Sequence, residues 1–217
     1  LEEIAELLKS FVECDGHHPV MTLGMVLATA DGRKTLDSGS YQRQIISPQT
    51  HASLLEVIRS GVESGVFSVQ LHGMEHFWPP AIMTACRKDN AIANWLRDAP
   101  AARTEDLPAA LQSRWVDASS LPARPLEAGS IQQAVREETG VFREIFGRLP
   151  AVVVPPTFIW NADVEHAWAA GGVGVIVTPG ARYESRDANG RPACRGERLY
   201  NGQPGDGNVI YLVRDVY

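Results

Sequence analysis

Ile4, Leu7, Leu8 and Phe11 recur at helical spacing with acidic residues between them, which predicts an opening amphipathic helix with one face turned to a core. A turn at Asp15-Gly16 follows. Pro19 then leads into the mostly apolar run 20–28, of strand length and expected to be buried on both faces. Asp31-Gly32 and the stretch 37–40 read as loop. Pro48-Gln49-Thr50 opens a helix carried by Leu54, Leu55, Val57, Ile58 and Val62. It stops at Gly65, and residues 66–71 have the composition of a strand. Helical character returns over residues 81–96.

Residues 98–128 are rich in Ala, Pro and acids, so an irregular excursion is expected there, an insertion or lid within one domain covering 1–217. Ile131, Val135, Val141, Phe142, Ile145 and Phe146 mark the next helix, with a dent expected at Gly140, and 151–154 follow as a short buried strand. Asn161 is placed to cap a helix running to Ala170, Gly171-Gly172 end it, and 173–177 form another strand. A Gly-, Arg- and Asp-rich loop over 180–208 precedes a last strand at 209–213. Helix-then-apolar-strand units in succession are how a parallel sheet covered by helices is written, so the fold class is α/β. The chain has neither G-x-G-x-x-G after a strand nor G-x-x-x-x-G-K-[ST], which removes the usual support for a nucleotide-binding open sheet and favours a (β/α) barrel. In such folds chemistry sits at the C-terminal ends of strands.

Composition narrows the function. Among 217 residues, 20 Lys and Arg stand against 26 Asp and Glu, a formal charge of −6. No Lys/Arg-rich run offers the clustered positive charge by which proteins displace counterions from nucleic acid or anionic lipid. Nucleic acid is therefore not an expected partner. The apolar runs are too short to cross a bilayer core of roughly 30 Å as a helix. Cys14, Cys86 and Cys194 are odd in number and contain no C-x-x-C pair, so neither a disulfide framework nor a cysteine zinc site is indicated. The chain opens at Leu1 without an initiator Met, a basic segment or an apolar leader core, so either a leader has been removed or further sequence precedes it. Compartment and oligomeric state stay open.

The chemistry concentrates at one junction. The strand 66–71 runs directly into His72-Gly73-Met74-Glu75-His76-Phe77-Trp78-Pro79-Pro80. If the segment coils into a helical turn after Gly73, residues i and i+4 share a face at about 6 Å, and two imidazoles can meet one metal at Zn–N distances near ~2.0–2.1 Å. The pattern is not the H-E-x-x-H of zinc peptidases, since Glu75 precedes the second His. A bare H-x-x-x-H also arises in loops as two ordinary polar residues; the strand before it, the glycine inside it and the aromatic-proline stretch after it favour the metal.

The stretch Gln70-Leu71-His72-Gly73-Met74-Glu75-His76 resembles the H-x-x-x-H motif of the NodB-like polysaccharide deacetylases, a superfamily with a distorted (β/α) barrel. Two further stretches share the resemblance. Val153-Val154-Pro155-Pro156-Thr157-Phe158-Ile159-Trp160-Asn161 is similar to the segment that walls the family's substrate groove, and Gly171-Gly172-Val173-Gly174-Val175 to the turn and strand after it. The resemblance implies a divalent metal, usually zinc in that family, held by His72, His76 and one Asp. It further implies a second Asp as general base, Pro156 and Trp160 along the substrate groove, and hydrolysis of N- or O-acetyl groups on a glycan.

The departures are specific. The family's first strand ends in Asp-Asp, and no such pair occurs here. Phe11-Val12-Glu13-Cys14-Asp15-Gly16 imitates that motif, yet Phe11 continues the spacing of the opening helix, so Asp15 reads as a turn residue and the family's first strand is expected before Leu1. Arg214-Asp215-Val216-Tyr217 stops where a site residue is expected, and the strand carrying the family's general-acid His is not seen. Val154 stands where many members place an Arg before the Pro. His17, His18, His51 and His166 read as loop, surface or capping residues. The sequence thus favours a zinc-dependent hydrolase acting on an acetylated carbohydrate. Its rival is an inactive descendant that binds glycan or a protein partner, and a metal-dependent amidase on a non-sugar substrate is a weaker third.

Overall fold

The computed structural model describes residues 1–214. In chain order, helix α1 (Glu2–Lys9) precedes strand β1 (Met21–Val26), β2 (Ala28–Ala30), α2 (Gly32–Ser38), β3 (Arg43–Ile45), α3 (Pro48–Glu63) and β4 (Phe67–Gly73). Then come α4 (Pro79–Ala85), α5 (Asn90–Asp98), β5 (Val116–Asp117), β6 (Arg124–Pro125), α6 (Ala128–Phe146), β7 (Val152–Val153) and α7 (Ala162–Ala170). The described chain ends with β8 (Val175–Thr178), β9 (Tyr183–Arg186), β10 (Pro192–Arg195) and β11 (Ile210–Val213).

Five strands form one sheet in the order β1-β4-β7-β8-β11, and every neighbouring pair is parallel. The α/β reading and the chain-order sheet are therefore what the molecule has. A parallel neighbour requires a crossover, and α3, α6 and α7 are the long or buried helices between successive strands up to β8. From β8 to β11 the chain crosses with an antiparallel hairpin of β9 and β10 instead. Among the described residues β1 and β11 are the two edges, and no ladder joins them to close a barrel.

Local chemistry explains the elements. Asn161 accepts a hydrogen bond from the backbone N–H of Val164 and starts α7 as its N-cap, while α6 ends at Gly147, whose φ of 72° is the left-handed conformation that a side chain would disfavour. Gly140 leaves α6 undented. The stretch 31–40 is not all loop: the Asp31 carboxylate accepts from the N–H of Lys34 and nucleates α2, which closes at Gly39. The helical stretch 81–96 divides into α4 and α5, with Asp89 capping the second through the N–H of Ala91. Residues 98–128 carry two 3₁₀ turns and the short antiparallel pair of β5 and β6.

One apolar cluster fills the space between the sheet and its helices, with Leu71, Val153 and Ile176 from strands and Ile58, Val135, Phe142 and Trp168 from helices. A second joins Phe77, Ile82, Trp95 and Leu96 to Leu107, Leu111 and Val116 of the irregular region. The expectation that 20–28 is buried on both faces fails at its start. Val20 and Met21 are exposed because β1 is an edge strand, and the run leaves the sheet at Leu27, so that Ala28 pairs with β3. No helix of the described residues is long and apolar enough to cross a membrane.

Candidate functional site

Side chains along β4 alternate: Phe67, Val69, Leu71 and Gly73 are buried, and Ser68, Gln70 and His72 lie half-buried on the other face. This alternation places His72 at the last side-chain position of that polar face. Gly73 then takes φ 126°, and a Cβ there would sit 3.3 Å from both the Glu75 carbonyl oxygen and Pro156 Cγ. The chain bends through 74–78 without forming a helical turn before α4 begins. The His72 and His76 rings meet all the same, with centroids 5.0 Å apart and planes tilted by 48°. A strand end and a glycine bend achieve what a shared helix face was expected to provide.

The two imidazoles differ in their surroundings. Val154, the residue where an Arg was anticipated, uses its backbone carbonyl to accept a hydrogen bond at 2.7 Å from His72 Nδ1. Because a carbonyl can only accept, Nδ1 carries the proton and Nε2 keeps its lone pair. His76 Nδ1 is buried with no hydrogen-bond partner among the described residues. Burial lowers the pKa of both rings from the ordinary imidazole value, and for His72 the neighbouring His76 adds to the effect. Both are thus neutral near pH 7, the form that donates an imidazole lone pair to a metal.

The bridge between the histidines is anchored at every residue. Leu27 donates to the Gly73 carbonyl at 3.0 Å and Ala28 to the Met74 carbonyl at 2.7 Å. The Met74 N–H donates at 3.1 Å to Glu138 Oε2 on α6, whose Oε1 accepts from Trp168 Nε1 at 2.9 Å. Glu75, fully buried, accepts from Arg43 Nε at 2.7 Å, Tyr41 Oη at 3.2 Å and Arg114 Nη1 at 2.8 Å. The Arg114 guanidinium lies over the rings of Trp78 and Trp115, its Cζ 5.6 and 5.5 Å from their centroids. Burial pushes the Glu138 carboxyl up to about 7, against the lowering influence of Arg114 and its two N–H donors. Sequence reasoning missed this group, because Glu138 and Arg114 fall 62 and 38 residues beyond His76 in the chain. A buried Glu on the apolar face of α6, beside Val135 and Phe142, was the one available signal.

Pro156 is buried against the Gly73 bend between the two histidines. Thr157 and Phe158 follow with φ of 54° and 55°, two consecutive side-chain-bearing residues in the left-handed region, a strain of roughly 1–2 kcal/mol each. Thr157 Oγ1 lies 3.2 Å from Ser113 Oγ, and the Phe158 ring sits under Arg214 Cζ at 4.7 Å. Trp160 corrects the expectation of a place along the substrate groove. It is wholly buried, and its Nε1–H donates to Glu165 Oε1 at 2.6 Å, leaving no ring face for a ligand.

Other expected positions behave locally. Asp15 accepts from the N–H of His17 as a turn residue. His18, His51 and His166 engage the Phe11 carbonyl, the Thr50 hydroxyl and the Ala162 carbonyl. Residues 215–217, where a late site residue was anticipated, lie outside the described residues. No group of three or more His, Cys, Asp and Glu able to hold an ion occurs among the described residues. As ligands, His72 and His76 fit two places of a nitrogen-donor set, on the strength of their neutral rings, their separation and the unpartnered Nδ1.

No family model and no curated protein matches the chain. Among solved structures it is similar to IcaB from Ammonifex degensii, with 15% identity and a TM-score of 0.34 over 64% of this chain and 42% of that one. It is also similar to a de-N-acetylase from Aggregatibacter actinomycetemcomitans, with 15% identity and a TM-score of 0.34 over 57% of this chain and 40% of that one. The BpsB deacetylase domain from Bordetella bronchiseptica gives 16% identity and a TM-score of 0.33 over 57% and 40%. The chain thus spans about two fifths of the length of each of these structures.

Proposed function

We propose that the protein is a metal-dependent hydrolase of the polysaccharide deacetylase type, removing N- or O-acetyl groups from a glycan, with His72 and His76 as two ligands of a divalent metal, zinc by preference. The observation that carries this reading is the pair itself. Two half-buried neutral imidazoles, their ring centroids 5.0 Å apart, stand at the C-terminal end of a central parallel strand, one oriented by a backbone carbonyl and the other with a buried nitrogen that has no partner among the described residues. His72 has its carbonyl partner already, whereas a shared ion would give His76 Nδ1 the partner it lacks among the described residues.

When bound, the metal supplies an acidified water and polarises the acyl oxygen. The chain's own residues prepare the place. The Val154 carbonyl fixes the His72 tautomer and aims Nε2, the Gly73 bend brings His76 beside it, and Pro156 packs against that bend. The reading requires a further donor and a general base besides the two histidines.

The second reading, a glycan- or partner-binding domain without catalysis, is favoured by one observation: the described residues contain no third donor beside the histidines. Zinc titration and acetate release separate the two. Wild-type protein should bind zinc, lose it on His72→Ala or His76→Ala, and release acetate from acetylated oligosaccharides only with metal. Zinc binding without acetate release, under every divalent metal tried, would select the binding domain.

A further inference from the structure

We propose that Glu138 is a positioning residue for the His72 and His76 pair, holding through Met74 the bridge that sets the separation of the two rings. The inference rests on the metal reading above and adds to it a residue on a different element. Three residues join the histidines, and the middle one has its N–H on Glu138 Oε2 at 3.1 Å. Three donors converge on that carboxylate: the Met74 N–H, Trp168 Nε1–H and, at 4.0 Å, Arg114 Nε, which is buried without a hydrogen-bond partner among the described residues. Glu138 is itself fully buried, and a carboxyl group on the apolar face of a helix is costly unless its partners require it. Met74 places its side chain in the core, and its carbonyl is fixed by Ala28. Glu138 therefore governs the remaining polar group of the residue midway between the two rings.

The donor pattern makes the inference testable by rescue. Glu138→Gln keeps the volume but offers one acceptor to two converging N–H groups, so its NH₂ must face a donor. Adding Trp168→Phe removes the competing donor and frees the Gln carbonyl for Met74. We measure Co(II) and Zn(II) affinity of the full protein, nuclear Overhauser contacts between the two imidazoles in metal-free protein, and Tm. Glu138→Gln should weaken metal binding by about 10–100-fold, the usual effect of losing a partner behind the ligands, and should weaken the ring–ring contacts. Trp168→Phe alone should lower Tm with affinity kept, and the double variant should regain affinity despite a low Tm. Wild-type affinity in Glu138→Gln, or affinity that simply follows Tm through all three variants, overturns the proposal. Should wild-type protein bind neither metal, the proposed function fails, and the metal-free ring contacts still decide whether Glu138 positions the pair.

Discussion

Removing the Glu165 carboxylate should destabilise the fold through the cluster where Trp160, Arg182 and Tyr211 of β11 meet. Glu165 is fully buried, and it accepts from Trp160 Nε1 at 2.6 Å, Tyr211 Oη at 2.8 and 2.9 Å, Arg182 Nη1 at 2.9 Å and the Asp206 N–H at 2.8 Å. In Glu165→Ala, Arg182 keeps Glu184 and Asp206, and the Asp206 amide lies in a loop that water can reach. The Trp160 N–H and the Tyr211 hydroxyl have no such recourse. Leaving a buried donor unpaired costs about 1–3 kcal/mol, so the two together cost about 2–6 kcal/mol. That is a large part of the roughly 5–15 kcal/mol that holds a domain folded, and it corresponds to a Tm lowered by about 2–4 °C per kcal/mol at this size. Urea unfolding should show a lower midpoint at an unchanged slope. A double-mutant cycle with Trp160→Phe should give a coupling of about 0.5–3 kcal/mol. A loss under about 1 kcal/mol, or no coupling, would refute the claim that Trp160 is held as scaffold by Glu165.

Arg114→Met leaves the buried Glu138 without a cation and Glu75 with Arg43 alone, and should cost about 3–5 kcal/mol, read by calorimetry; a neutral result would show the Arg114 cation to be dispensable. Replacing His72 or His76 by Ala should abolish zinc binding while changing stability much less than Arg114→Met, which equilibrium dialysis and thermal melts check together. The imidazole pKa values are depressed in the folded protein, so the unfolded chain takes up protons first. Stability from this source is complete above about pH 6.5 and declines as the pH falls below it, and metal-free wild type should lose ground against His72→Asn over that window. Glu138 acts in the opposite sense, since a carboxyl raised to about 7 makes folding less favourable as the pH rises from 4.5 toward 7. Glu138→Gln should therefore make acid destabilisation steeper in urea titrations at several pH values; an unchanged profile would show the group to be ionised throughout.

The order of strands and helices was legible in the chain because buried parallel strands are short apolar runs and their covering helices carry a repeating apolar stripe. Both signals are local, as are the Asn161 cap, the Gly147 stop and the position of His72 and His76 at a strand end. What remained hidden depends on groups distant in sequence. Edge position exposed Val20 and Met21, an outcome fixed by which strand has a neighbour and not by hydropathy. The tautomer of His72 follows from a carbonyl 82 residues away, and the anchoring of the bridge from Arg43, Arg114 and Glu138, which lie far apart in the chain on β3, in the irregular region and on α6. Trp160 shows the same division in a single residue: an aromatic after a strand end suits a platform or a core, and the buried carboxylate of Glu165 decided for the core. Burial energy is written in composition and spacing, whereas the pairing of buried polar groups exists only once the fold has brought them together.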